Sequence, residues 1–253
     1  MLGLITSKSK YTESTESSLN SIELISKIVT VDLPSLNHDD LENEDLVLVS
    51  DNMNVFKEDV PREVIELAKK GGLVCPSFQC EGQEYQPSSV CIIPVSNQDR
   101  FLTSSWKKRS RNIKGAHQVP AVMGCFCTTT RWLKYVLDGF VPSSSSVLDL
   151  SLSLKTWMYG KECTCCPSWE VTRKLEKSPR VPKDLADRVS ISQELFPYEL
   201  LSGSLKEVIA EDSIYGITMY KNAKTALQRR MIIEKKIRKD LLEVIELTRM
   251  RSR

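Results

Sequence analysis

The chain has 253 residues, 41% hydrophobic and 27% charged, with a formal net charge of +2, which gives it enough length to bury a real core and too much apolar content for global disorder. The near-neutral total hides a split: residues 1–66 carry 5 Lys/Arg against 14 Asp/Glu, a net of −9, whereas residues 221–253 carry 11 against 4, a net of +7. No apolar run reaches the roughly 18 residues a membrane helix needs, and the 10 glycines form neither GxGxxG nor GxxxxGK[ST], which argues against folds that cradle phosphate in a Gly-rich turn.

In chain order, residues 1–20 are Ser/Thr-rich (Thr12, Ser14, Thr15, Ser17, Ser18) and read as a flexible arm that runs into a short helix over 22–29. Residues 37–45 are acidic and predict a loop, with a short strand at 46–49 ended by Ser50-Asp-Asn. Pro61 to Lys70 is the clearest helix of the first half: Pro61 suits a first turn, Glu63 favours the N-terminus, and Gly71-Gly72 stop it. Short strands are expected at 73–75 and 90–95, and a longer one at 119–129, which is apolar and β-branched.

Arg131 to Asp138 has apolar residues at helical spacing, with Gly139 as a stop. Pro142 and four serines make a linker. Leu148, Leu150, Leu152 and Leu154 then alternate with Asp149, Ser151, Ser153 and Lys155, a period of two that predicts a strand. Cys163 to Pro167 reads as a compact loop and 177–203 as irregular. From Lys221 to about Arg249 the chain predicts one long helix, apolar along Ile233, Ile237, Leu241, Val244 and Ile245.

Two basic segments are candidate binding surfaces. In the first, Lys107, Lys108, Arg109, Arg111 and Lys114 cluster beside Trp106; cations release counterions from phosphates and an aromatic can stack on a base. The same pattern would serve an anionic lipid face or nuclear import, or be a solvated loop between strands. In the second, the C-terminal helix carries Arg229, Arg230, Lys235, Lys236, Arg238 and Lys239, beside the plainer reading of an amphipathic helix packed on its own domain.

Eight cysteines, in a chain without a signal-peptide pattern, are expected to be reduced thiols or metal ligands. Cys163, Cys165 and Cys166, with His117, offer a candidate Zn²⁺ site, although the spacing is not that of a standard finger and a free Cys also packs as a small hydrophobe. Only His38 and His117 could serve as imidazole bases, no HExxH occurs, and Ser104-Ser-Trp-Lys107 matches SxxK without its usual companions.

These features predict an α+β fold: a small mixed or antiparallel sheet with flanking helices, a flexible acidic N-terminal arm and a long basic C-terminal helix. The expected division is an arm at 1–20, a core at 21–212 and the basic helix at 213–253. The functional expectation is a non-catalytic intracellular protein, cytoplasmic, nuclear or peripheral to membranes, neither secreted nor transmembrane. It would bind nucleic acid, nucleoprotein or an acidic membrane surface without a cofactor, as small viral matrix-like or accessory proteins do. The acidic N-terminal region would meet a protein partner, and the chain could self-associate. The alternatives are a zinc-stabilised regulatory module and a cysteine-dependent enzyme.

Overall fold

The computed structural model describes residues 1–6, 12–30, 45–51, 53–80, 83–94, 100–108, 115–122, 124–137, 145–174, 231–239 and 243–244. Its strands are β1 Leu2–Ile5, β2 Lys27–Thr30, β3 Leu46–Ser50, β4 Asn54–Phe56, β5 Leu73–Cys80, β6 Gln83–Pro94, β7 Arg100–Lys108, β8 His117–Gln118, β9 Cys125–Thr129 and β10 Cys163–Arg173. Its helices are α1 Thr12–Asn20, α2 Arg62–Lys69, α3 Thr130–Leu137 and α4 Ser145–Met158.

The strands form one mixed sheet in the order β2-β1-β3-β9-β5-β10-β4. β1 is parallel to β2 and β3, and β10 is parallel to β5. β9 runs antiparallel between β3 and β5, so β1, β2, β3, β5 and β10 all point one way. Strands buried on both faces read as near-continuous apolar runs. Leu2–Ile5 and Leu46–Ser50 are such runs, buried at every position.

The period of two still sorts their side chains. Val47 and Val49 enter one core, with Leu133 and Val136 of α3, Leu150, Leu152, Leu154 and Trp157 of α4, and Ile233 and Val244. Leu46 and Leu48 enter the other, with Leu19 of α1 and Val64 and Ala68 of α2. The molecule is therefore layered helix–sheet–helix, a mixed α/β fold whose ten-stranded sheet is larger than the one the sequence predicts. β6 and β7 leave it as a ribbon: β6 pairs with β5 only over 83–85, and with β7 along most of its length.

Several predicted elements stand where expected. β3, α2 and α3 match the readings at 46–49, 61–70 and 131–138. Gly71 and Gly72 end α2 with φ of +84 and +114, a conformation that a residue with a Cβ resists.

Residues 148–154 are the main correction, because they form helix, not strand. The alternation misleads because α4 is inside the protein all round: Leu150, Leu152 and Leu154 are buried, and so are Asp149, Ser151, Ser153, Lys155 and Thr156. A helix enclosed on every side has no polar face for a 3.6-residue pattern to reveal. Some of these polar side chains find local partners, whereas Ser151 Oγ has none among the described residues. Ser153 Oγ donates back to the Asp149 carbonyl at 2.6 Å and accepts from Val122 N–H at 2.9 Å.

Three further segments differ from the sequence reading. Residues 2–5, within the stretch read as an arm, form β1, and 12–20 form α1. The stretch read as a helix over 22–29 ends in β2, and the loop at 163–167 is the start of β10, whose register slips between Cys166 and Glu170 on either side of Pro167. In the C-terminal segment 231–234 are helical and 235–239 turn and bend; the rest of the predicted helix lies outside the described residues. Among the described residues, no helix is long and apolar enough to cross a membrane.

Leu154 is fully buried against this enclosed helix's neighbours. Leu154→Ala should lower stability by about 2–5 kcal/mol. Urea denaturation with an unchanged midpoint would show that α4 is not a core element.

Candidate active site at the carboxyl ends of the parallel strands

Open α/β sheets bind ligands beyond the carboxyl ends of their parallel strands, where loops converge and side chains face one crevice. Here β1 ends at Ile5, just before Thr6, β3 at Ser50, just before Asp51, and β10 at Arg173, and the antiparallel β4 and β9 begin beside them at Asn54 and at Cys125, just after Gly124. Thr6 N–H donates to the Ser50 carbonyl at 2.9 Å and Asp51 N–H to the Gly124 carbonyl at 2.8 Å, which draws this rim together.

A polar network fills the rim. Arg173 Nη2 donates to Asp51 Oδ2 at 2.6 Å and Nη1 to Asn54 Oδ1 at 3.0 Å. Asn54 Nδ2 donates to the Gly124 carbonyl at 2.5 Å, to Asp51 Oδ1 at 3.0 Å and to Ser50 Oγ at 3.1 Å. Met53 N–H also donates to Asp51 Oδ1, at 3.0 Å. The Arg173 side chain keeps 15% of its surface exposed and that of Asp51 keeps 11%. Its guanidinium carbon lies 5.6 Å from the Phe78 ring centroid, within cation–π range. Burial alone would favour the neutral guanidinium, but the charge and hydrogen bond of Asp51, and the charge of Asp149, raise its pKa above the ordinary value.

Asp149 enters from α4. Its Oδ2 accepts from Gly124 N–H at 2.5 Å. Burial pushes its carboxyl from 3.8 up to about 7, with Asp51 adding to the rise and the Gly124 hydrogen bond and Arg173 opposing it. The site therefore holds a permanent cation on Arg173, an anion on Asp51 and a carboxyl that exchanges its proton near neutrality, which is the range general acid–base chemistry uses.

Gly124 is the hinge of this arrangement. Its φ is +75, and a Cβ there would collide with the Arg173 guanidinium and approach Asp51 Oδ2 to 2.9 Å.

The residues singled out from sequence lie elsewhere. Trp106, Lys107 and Lys108 sit on β7, in register with Pro87, Gln86 and Tyr85 of β6. Arg109, Arg111, Lys114, Arg229 and Arg230 fall outside the described residues. Lys235 and Arg238 are exposed. Lys236 turns inward, donating to the Tyr135 carbonyl at 3.0 Å with its ammonium 4.5 Å from the Tyr135 ring, and Lys239 lies 5.9 Å from the Trp157 ring.

Cys163, Cys165 and Cys166 are on β10, and the register sets His117 opposite Cys165, so sequence-distant candidates do meet. Among the described residues, however, no group of three or more His, Cys, Asp or Glu could hold a metal ion. The thiols are core groups. Burial pushes Cys127 and Cys163 to about 12 and Cys166 to about 11, and raises Cys125; a hydrogen bond with Cys165, then burial, raises Cys75. Such groups stay protonated and make poor nucleophiles at neutral pH.

No family model matches the sequence, and no curated protein matches it by sequence. Among solved structures, the chain is similar to GalNAc-T7 crystallised with UDP, GalNAc and Mn²⁺, with a TM-score of 0.51 and 12% identity, over 93% of this chain and 50% of that one. It spans about half the length of that chain. It is also similar to TarS of S. aureus in complex with UDP, with a TM-score of 0.46 and 9% identity, over 99% of this chain and 87% of that one.

The likeness to GalNAc-T7 shows a shared fold. It corrects the expectation of a non-catalytic structural, nucleic-acid-binding or viral matrix-like protein: the structure that shares the fold is GalNAc-T7, crystallised with UDP and GalNAc. The Mn²⁺ belongs to the GalNAc-T7 structure, and the described residues here do not fit such an ion. Both Asp51 oxygens accept from protein donors, and Asp149 Oδ2 accepts from Gly124.

Two outcomes test this geometry. Gly124→Ala should cost more than about 1 kcal/mol, through positive-φ strain and displacement of the ion pair; thermal unfolding at the wild-type temperature would count against the network. A folded-state pKa above the unfolded one stabilises below the unfolded value and is lost as pH rises through the folded value. Wild type should therefore lose stability relative to Asp149→Asn between about pH 4 and 7, by on the order of 4 kcal/mol at most. Parallel stability–pH curves for the two proteins would refute the buried carboxyl.

Proposed function

We propose that this chain is a glycosyltransferase-type domain that binds a UDP-sugar across the carboxyl ends of β1, β3 and β10 and transfers the sugar to an acceptor hydroxyl. The observation that carries this reading is the network of Asp51, Asn54, Arg173, Gly124 and Asp149 at that rim, in a fold similar to that of a UDP-bound enzyme. The rim offers what the reaction needs. Arg173 supplies positive charge for a diphosphate leaving group, and Asn54 and Asp51 fix its orientation.

In the transfer step, the acceptor oxygen forms a bond to the anomeric carbon as the bond from that carbon to the diphosphate oxygen breaks. UDP leaves with the bonding electron pair. The acceptor's proton passes to the Asp149 carboxylate, whose pKa of about 7 suits a base at neutral pH.

Calorimetric titration of the purified chain with UDP and a panel of UDP-sugars should give dissociation constants of roughly 1 μM to 1 mM, the range of ordinary enzyme substrates. Asp149→Asn should retain UDP binding while slowing sugar transfer or UDP-sugar hydrolysis by roughly 100-fold or more. Absence of both heat and thermal shift at millimolar UDP would overturn the reading.

A further inference from the structure

We infer that this site takes the diphosphate of its nucleotide sugar without a divalent metal, with the guanidinium of Arg173 in the place such an ion would fill. The inference rests on the UDP-sugar reading above and adds to it the chemistry that holds the phosphates.

Two negative charges on a diphosphate must be met by positive charge when they leave water. A divalent ion can do this only if carboxylates or imidazoles are spare to hold it. At this rim three of the four oxygens of Asp51 and Asp149 already accept from protein donors. Asp51 Oδ1 accepts from Met53 N–H and Asn54 Nδ2, its Oδ2 accepts from Arg173, and Asp149 Oδ2 accepts from Gly124 N–H. Among the described residues no group of His, Cys, Asp and Glu side chains is placed to close a coordination shell. His117, the described imidazole, is turned to the Gly115 carbonyl at 3.2 Å and lies on β8, which pairs with the start of β10, while Arg173 is at its end.

Charge is present in another form. Arg173 is held at the rim by Asn54 of the neighbouring β4 and by Asp51 after β3, with 15% of its side chain still reaching the surface. A guanidinium is planar, permanently charged and matched in shape to two phosphate oxygens. Its orientation is fixed in advance by Asn54, which itself is fixed by Asp51, Ser50 and the Gly124 carbonyl. Preorganised donors of this kind lose little freedom when the ligand arrives. Gly124 lets the guanidinium lie directly against the backbone, because any Cβ at that position would collide with it.

The test uses the full chain. UDP is titrated in buffer with EDTA and again with added Mn²⁺ or Mg²⁺, with inorganic pyrophosphate as competitor. Equal affinity in the two buffers, displacement of UDP by pyrophosphate, and at least roughly tenfold weaker UDP binding by a folded Arg173→Lys variant are expected, since charged hydrogen bonds are worth that much. Binding that requires the metal, or that pyrophosphate leaves untouched, would overturn the inference while the UDP-sugar reading stands. Arg173→Lys with wild-type affinity would remove the guanidinium from the role. If UDP binds in neither buffer, the UDP-sugar reading itself falls. The wild-type arms decide the matter even if the variant does not fold.

Discussion

A guanidinium withdrawn from water needs its countercharge close and fixed, and Arg173 of β10 finds it in Asp51 after β3, with β9 and β5 lying between those strands in the sheet order. Removing one member of such a pair commonly costs about 3–5 kcal/mol, because the other is left buried and uncompensated. The rim depends on that arithmetic. Asn54 is locked between the two charges, Asn54 in turn holds the Gly124 carbonyl, and Gly124 presents its N–H to Asp149 on a different layer of the molecule. Sheet and helix are thus joined through polar contacts as well as through the apolar core.

The same chain of contacts explains why α4 sits so deep. Its polar residues lie inside the molecule, but Ser153 is satisfied within the helix and by Val122, and Asp149 by Gly124. A serine hydroxyl buried in a helix is least costly when it has a local partner, as Ser153 has and Ser151, among the described residues, has not. Leucine's preference for helix and the enclosure by both sheet and α3 then outweigh the alternating pattern.

Local signals are legible in this sequence and long-range ones are not. Pro61, Glu63 and Gly71-Gly72 bracket α2 because capping chemistry acts within one turn. Arg131 to Asp138 shows its helix because one face of α3 is half exposed, so its apolar stripe is visible. Leu148 to Leu154 show a strand's period because α4 is buried at every position over 149–158. The site residues escaped notice for a different reason. Asp51 and Asn54 look like turn formers, Gly124 like a break in a strand, Asp149 like the polar half of a strand and Arg173 like one cation among many. Residues 122 positions apart, Asp51 and Arg173, become partners only once β3, β5 and β10 are known to run parallel. The charge split between the two ends is a bulk property of the sequence and says little about one ion pair at a rim.

The packing of Ile233 and Val244 among α3 and α4 gives the basic end of the chain a second identity. Arg238 and Lys239 N–H groups both donate to the Met158 carbonyl, at 2.7 and 3.0 Å, closing the last turn of α4 from outside. What composition presents as a charged appendage is, in its described part, a lid over the aromatic surface of Tyr135, Trp157 and Tyr159. A version of the protein cut before residue 231 would therefore bare that surface and leave a helix end unsatisfied, turning a trimming meant to simplify the molecule into a source of stickiness.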